Sequence, residues 1–451
     1  MTTLINVAIV GAGPSGFYAA EALLKAGACV ALLDRLPAPF GLVRYGVAPD
    51  HPKLKQTTLT FAKITAHPNF HFFGGVTVGE DISVPELQAS FNAVVFAHGA
   101  STDRRLGISG EDLPGSHAAT EFVAWYNGHP AYRDHEFDLS EQTAVVIGNG
   151  NVALDVARIL AKPVDALRHT DIAHHALQQL AESQVRHITI VGRRGPEHAK
   201  FSHKELAELG AIEQCDLQCS STAFDHADAD AASWGVDAKR NVPFLRAMSA
   251  PAVAPDADTS RRCTLEFFKS PIAIHGSRRV EYIELADALD TSISRISCGL
   301  VFRAVGYQGV RLAGLPFDHQ RGIVPTLDGR VTAATGLDVS GLYATGWIKR
   351  GASGIIGTNR ADSVTVVETL LRDVARTVGR DGVEHLRRRL SQRGHRAVSF
   401  ADWERIDRAE IAAGSARGKP REKFTRVDDM MAIVHAVEGI PDVLSQPANL
   451  S

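Results

Sequence analysis

Cysteine is scarce in this chain, five in 451 residues, and no two stand in a Cys-x-x-Cys spacing. That excludes a disulfide framework and a redox dithiol. The lack of any Cys-rich stretch also excludes a resident iron–sulfur cluster. Cys215 and Cys219 lie four apart on a weakly defined segment, and Cys29, Cys263 and Cys298 are isolated. An odd set of scattered thiols suits a reducing compartment. His169, His174, His175 and His187 gather without a zinc spacing and read as polar surface. No apolar run approaches the roughly 18 residues of a membrane span. Excess charge is missing too: the net charge of −3 argues against a dedicated nucleic-acid binder and leaves room for a local basic patch. Glycine and proline, 39 and 20, are in ordinary proportion, which excludes collagen-like and low-complexity chains. The start has no basic, apolar and small-residue succession of a signal peptide. Met1 to Asn6 leads straight into Val7-Ala8-Ile9-Val10, so the expected location is the cytoplasm.

What is present is one plan used twice. Residues 7–35, VAIVGAGPSGFYAAEALLKAGACVALLDR, run from an apolar strand through Gly11-Ala12-Gly13-Pro14-Ser15-Gly16 into a helical pattern. Ala19, Ala20, Leu23 and Leu24 share one face of it, Gly27 closes it, and a second strand ends at Asp34. Residues 143–160, TAVVIGNGNVALDVARIL, repeat the plan through Gly148-Asn149-Gly150-Asn151-Val152-Ala153, with His187–Val191 as the second strand before Gly192-Arg193-Arg194. Three further apolar strands end at Gly99, Gly306 and Gly346. Short apolar runs alternating with helices predict an α/β fold with parallel sheets covered on both faces. The stretch from Ser220 to Ser260, rich in Ala, Asp and Pro, reads as a surface excursion, and residues 380–450 as charged helix.

A G-x-G-x-x-G turn between strand and helix has a physical logic. The first glycine makes the turn, the second admits a pyrophosphate to the backbone, the third packs helix on strand, and the helix N-terminus faces the phosphates. An acid ending the second strand accepts from ribose hydroxyls. Gly11, Gly13, Gly16 and Asp34 meet all of these conditions. In the second unit Ala153 is an accepted third position, but the acid is replaced by Arg193-Arg194, which suits a 2′-phosphate. Two dinucleotide sites of this kind point to FAD and NADP(H) on one chain. The cofactor carries the redox chemistry, so no catalytic triad is needed.

The chain resembles the adrenodoxin-reductase-type ferredoxin–NADP reductases. The resemblance rests on PFGLVRYGVAPDHPKLK (39–55), WYNGHP (125–130), GNGNVALDVARIL (148–160), VGRRGP (191–196), SGLYATGWIKRGASGIIGTN (340–359), SFADWERID (399–407) and GKPREK (418–423). It implies two Rossmann-like domains, an FAD domain of residues 1–103 and 309–451 with an NADP domain of 104–308 inserted. It implies FAD contacts from Gly11, Gly13, Ser15, Gly16, Asp34, Leu42, Val78, Trp347, Gly354, Ile355 and Ile356. NADP contacts would come from Gly150, Asn151, Val152, Ala153, Arg193, Arg194 and Glu205, with Gly354 touching both cofactors. His51 and Glu205 match the family's pair where the domains meet, to steady the nicotinamide or couple proton movement to flavin reduction. Asp155 is a further match, but it can equally pair with Arg158 at i+3.

The implied activity takes a hydride from NADPH and passes single electrons to a ferredoxin-type iron–sulfur protein, feeding a cytochrome P450 or similar acceptor. A transient electrostatic contact is expected, with Lys239, Arg240 and Arg246 favoured by resemblance and Arg387, Arg388, Arg389, Arg393 and Arg396 by composition. No nucleic acid or membrane partner is expected. Two other readings stand beside it: an NADPH-dependent flavin monooxygenase, and a protein that senses NADP(H) without turnover. A flavin spectrum separates the last from the other two.

Overall fold

Every residue of Asn6–Val10 is buried, and a strand shielded on both faces needs strands beside it and cover above and below. The computed structural model, which describes residues 4–225, 231–249, 261–374 and 379–436, supplies them. Asn6–Val10 pairs in parallel with Cys29–Asp34 and Ala93–Phe96, with Ile9 opposite Leu32 and Val95. Phe70–Gly74 and Asp338–Ala344 continue the parallel sheet on its two sides. The short antiparallel strands Thr326–Leu327 and Arg330–Thr332 complete seven strands at one edge. The helices Pro14–Lys25 and Ile356–Val374 pack together, and Gly382–Gln392 adds Val383, Leu386 and Leu390 to the core of the sheet.

A second sheet has six strands, all parallel, in the order Ser116–Ala118, Leu300–Arg303, Thr143–Ile147, His187–Val191, Arg261–Glu266, Cys215–Cys219. Asn151–Ala161 is the helix after its glycine turn, buried along Ala153, Leu154, Val156, Ala157, Ile159 and Leu160. An antiparallel trio, Lys269–His275, Tyr282–Asp287 and Ile293–Ser297, is attached to this half of the chain. The α/β class with two doubly wound sheets is as expected.

The chain divides into two compact units. One is Met1–Arg44, Lys53–Ala100 and Gly309–Ser451; the other is Tyr45–Pro52 with Ser101–Gln308. Two details differ from the expected 103/104 boundary. The crossing comes at Ala100, because Thr102–Asp103 already pairs with Tyr307–Gln308 in a small antiparallel ribbon of the second unit. Tyr45–Pro52 leaves the first unit because Asp50 is bonded to Arg158 and Lys162.

Within the 220–260 stretch, the described residues differ from a surface excursion. Val236–Ala247 is a helix that buries Ala238, Asn241, Val242 and Leu245. Cys215–Cys219, expected to be weakly defined, is a strand with Cys215, Leu217 and Cys219 buried. Residues 226–230, 250–260 and the C-terminal 437–451 lie outside the described residues. No helix among the described residues is long and apolar enough to cross a membrane.

Candidate active site

Both glycine turns obey the same geometry. Gly11 has φ +109°, and a Cβ there would lie 2.6 Å from the Ala97 carbonyl oxygen; Gly148 has φ +136°, with a Cβ 2.3 Å from that of Ala304. Each first glycine is therefore forced by a neighbouring strand end. A Cβ on Gly16 would sit 2.0 Å from the Gly11 carbonyl oxygen, so the third glycine is a packing requirement. Gly13 and Gly150 face open space, with nothing within 4 Å of an added Cβ. Each is the N-cap of the helix that follows, and neither helix has a side-chain cap. Two helix N-termini thus keep unfilled N–H groups beside clear volume, which is what an anionic phosphate needs.

The strand ends then differ. The Asp34 carboxylate accepts from Ala12 N–H at 2.8 Å and Leu36 N–H at 3.0 Å, tying turn to strand. Burial pushes this carboxyl up against those two bonds, and each oxygen keeps acceptor capacity for a ribose hydroxyl. In the second unit Gly192 occupies that level, and a Cβ on it would collide with the Asn149 side-chain amide. Asn149 Oδ1 is buried with no hydrogen-bond partner among the described residues. Arg193 and Arg194 follow, both exposed.

Two distant segments that carry expected flavin residues of the first unit approach its turn. Phe40 N–H donates to Ala12 O at 2.8 Å, which sets the short helix Leu42–Tyr45 beside the turn. Gly346, with φ +73°, lies so close that a Cβ would be 2.0 Å from Ser15 Oγ, and Ser363 Oγ donates to Ser15 O at 3.0 Å. Asp362 holds this loop by accepting from Gly346 N–H at 2.6 Å and Thr345 Oγ1 at 3.0 Å. Trp347 Nε1 donates to Ser353 O at 3.0 Å, closing the loop that leads to Gly354, exposed Ile355 and Ile356. Val78 is not brought to this loop by any contact described; it is buried in the core of the sheet.

The third centre is ionic and lies within the second unit. His51 is buried, and its Nε2 is 2.7 Å from Glu208 Oε2 but 3.4 Å from Glu205 Oε2. The close partner is thus Glu208, which the sequence reading missed; it stands three residues after Glu205, on the same face of the helix His203–Gly210. Glu205 accepts instead from Arg158 Nη1 at 3.0 Å. Asp155 pairs with Arg158 at 2.7 Å, the plainer of its two expected roles. Burial raises Glu205, with Asp155 adding to it, and burial pushes Asp155 up to about 6. Burial alone would raise Asp50 and Glu208 as well. Bonds from Arg158 and Lys162 hold Asp50 well below the usual carboxylate range, and the His51 bond lowers Glu208. The ligand-type atoms of His51, Glu205 and Glu208 lie within 4.8 Å of one another, and Arg158 already occupies Glu205. All five cysteines are free and buried. Among the four clustered histidines, His175 departs from the surface reading, being half-buried with its ring 5.3 Å from Trp125.

Comparison with known proteins gives a consistent picture. The model of the pyridine nucleotide-disulphide oxidoreductase family matches residues 5–356. The NADPH-ferredoxin reductase FprA of Mycobacterium leprae is 42% identical, over 95% of this chain and 98% of that protein. The mitochondrial NADPH:adrenodoxin oxidoreductase of Arabidopsis thaliana is 40% identical, over 95% of each. The solved structure of Mycobacterium tuberculosis FprA in complex with NADPH superposes with a TM-score of 0.89 at 41% identity, covering 96% of this chain and 99% of that one.

Proposed function

This chain belongs to the pyridine nucleotide-disulphide oxidoreductase family, in its adrenodoxin-reductase-type branch, and on that premise we propose that it is an FAD-dependent NADPH–ferredoxin reductase. The observation that carries the reading is the pair of glycine turns, each with an uncapped helix N-terminus and clear volume, one ending in Asp34 and the other in Arg193-Arg194. The first suits FAD, whose adenosine ribose is free; the second suits the 2′-phosphate of NADP(H). The unit built from both chain ends holds FAD, and the unit of Ser101–Gln308 holds NADP(H). The family's disulphide chemistry has no counterpart here, since every thiol is free and buried and burial raises Cys215 to about 11 and Cys219 to about 12.

Bound FAD supplies a centre that takes two electrons from NADPH and releases them one at a time. The protein's own work is to bind and orient. Backbone N–H groups of the two helix starts hold the pyrophosphates, and Asp34 holds the adenosine ribose of FAD. Arg193 and Arg194 hold the 2′-phosphate, and Asn149 Oδ1, without a partner among the described residues, offers an acceptor to the same coenzyme. His51, with Glu208 and Glu205, holds a proton where the nicotinamide is steadied. The acceptor is an acidic ferredoxin-type iron–sulfur protein docking transiently through Lys239 and Arg240, exposed on the helix Val236–Ala247. The alternative cluster is weaker, because Arg387, Arg388 and Arg393 already pair with Glu384, Asp381 and Glu86. Free buried thiols suit a reducing compartment, and we place the protein in the cytoplasm.

The test is NADPH-dependent reduction of cytochrome c with and without added ferredoxins, on protein checked for a flavin spectrum. Stimulation by a ferredoxin supports the reading. A colourless folded protein, or NADPH oxidation that depends on an organic substrate and oxygen, refutes it.

A further inference from the structure

We propose that Arg158 and Asp50 are positioning residues for His51: their buried ion pair holds the peptide that carries the imidazole and places Glu205 beside it. The inference rests on the reading above, that NADPH reduces FAD in this protein, and adds two residues to it. Tyr45–Pro52 belongs to the second unit although the chain on both sides belongs to the first. It is fastened at two points. The Tyr45 ring meets His129 edge-on with centroids 4.9 Å apart. Asp50 takes the Arg158 guanidinium through both oxygens, at 2.8 and 3.1 Å, and Lys162 at 2.5 Å.

His51 is the next residue, with its N–H bonded to Ala48 O at 3.0 Å. The third guanidinium nitrogen of Arg158 reaches Glu205 Oε2, the oxygen that also faces His51. One planar fork therefore fixes the histidine's backbone and a carboxylate beside its ring, which an ammonium group has no geometry to do.

Arg158 is fully buried. The carboxylates around it and His51 are Asp50, Asp155, Glu205 and Glu208; the other cations are Lys162, on Asp50, and Lys204, 3.4 Å from Glu208. Breaking a buried pair of this kind leaves an uncompensated charge. The segment answers by moving out, and His51 moves with it. Displacement of a catalytic group by about 1 Å costs on the order of a hundredfold in rate.

The experiment compares FAD-loaded wild type with Asp50→Asn, His51→Gln and the double variant. The readouts are the rate of flavin bleaching by saturating NADPH in stopped flow, and hydrogen exchange of residues 45–52 by mass spectrometry. Asp50→Asn should slow bleaching by about tenfold to a hundredfold and raise exchange across the segment, while Val145–Ile147 stays protected. His51→Gln should slow bleaching and leave exchange unchanged. The double variant should be no slower than the slower single one, because Asp50 acts through His51. Multiplying effects, or unchanged exchange in Asp50→Asn, overturn the proposal. Arg158→Lys, which keeps the charge and loses the fork, should behave as Asp50→Asn; a wild-type rate there also overturns it. If wild type shows no bleaching by NADPH, the functional reading fails, and the exchange comparison still decides whether the ion pair holds the segment.

Discussion

Replacing both Arg193 and Arg194 with alanine should make coenzyme use nearly indifferent to the 2′-phosphate. Both side chains are exposed, and no ion pair to either is found among the described residues, so neither has an internal carboxylate to compete with the coenzyme. For the same reason their removal orphans no buried anion, and stability should stay within about 0.5 kcal/mol of wild type. A hydrogen bond to a charged group contributes roughly 1.5–3 kcal/mol. Exposure to solvent favours the lower end, about tenfold in affinity for each guanidinium, so the pair should weaken NADPH by about a hundredfold. NADH, lacking the phosphate, should be almost unaffected. The assay is steady-state dye reduction with each coenzyme, with flavin content and thermal midpoint measured on the same preparations. The Michaelis constant for NADPH should rise far more than the turnover number falls. If the double variant keeps its preference for NADPH within about threefold of wild type, the phosphate is held elsewhere and the second site is misassigned.

The two glycines of the first turn should separate binding from folding. A Cβ at Gly13 has nothing within 4 Å, so Gly13→Val should fold with a near-normal thermal midpoint and be purified without flavin. Gly16→Ala places a Cβ 2.0 Å from the Gly11 carbonyl oxygen and should lower the midpoint itself; a stable, flavin-replete Gly13→Val variant would remove FAD from this turn. Glu410 is fully buried and accepts from Arg44 at 2.5 Å and Phe424 N–H at 2.9 Å. Glu410→Gln should therefore cost about 3–5 kcal/mol by denaturant titration, and a loss below about 1 kcal/mol would contradict the ion-pair account. Asp155 keeps its proton to about pH 6 in the fold, against 3.8 ordinarily. The native state then binds the extra proton between those values, so its contribution makes stability fall as pH rises through that window. Asp155→Asn should remove that slope, seen as a smaller difference between thermal midpoints measured near each end of the window.

Gly11, Gly13, Gly16, Asp34 and Arg193-Arg194 are readable in the sequence because each answers a constraint set by its own strand–turn–helix neighbours. Glu208 is not, because its pairing with His51 spans a separation of 157 residues. It depends on where Tyr45–Pro52 is pulled, and no local pattern records that. The helix Val236–Ala247 is obscured by Pro243 within it, a residue that ordinarily argues against helix interior. Cys215–Cys219 does alternate, with Cys, Leu and Cys inward. The alternation is easily overlooked when cysteine is counted as a reactive group and not as a small apolar one. Asp362 carries the backbone of Gly346 from sixteen residues downstream, across a turn whose shape the sequence does not announce.

The parallel pairing of Asp338–Ala344 with Ala93–Phe96 has a consequence for the order in which the molecule is made. On the ribosome, the strands Asn6–Val10, Cys29–Asp34, Phe70–Gly74 and Ala93–Phe96 emerge first, yet one side of Ala93–Phe96 has no partner until residues 338–344 follow. The whole of Ser101–Gln308 is synthesised in that interval and can close its six-stranded sheet. During the wait the nascent four-stranded sheet presents an open apolar edge, the kind of surface that recruits chaperones or pairs with a neighbouring chain. Long loop closure also makes this last pairing slow. Truncation between Gln308 and Asp338 should therefore yield an aggregating N-terminal segment joined to a folded second unit, and expression yield should respond to the translation rate of the stretch between them.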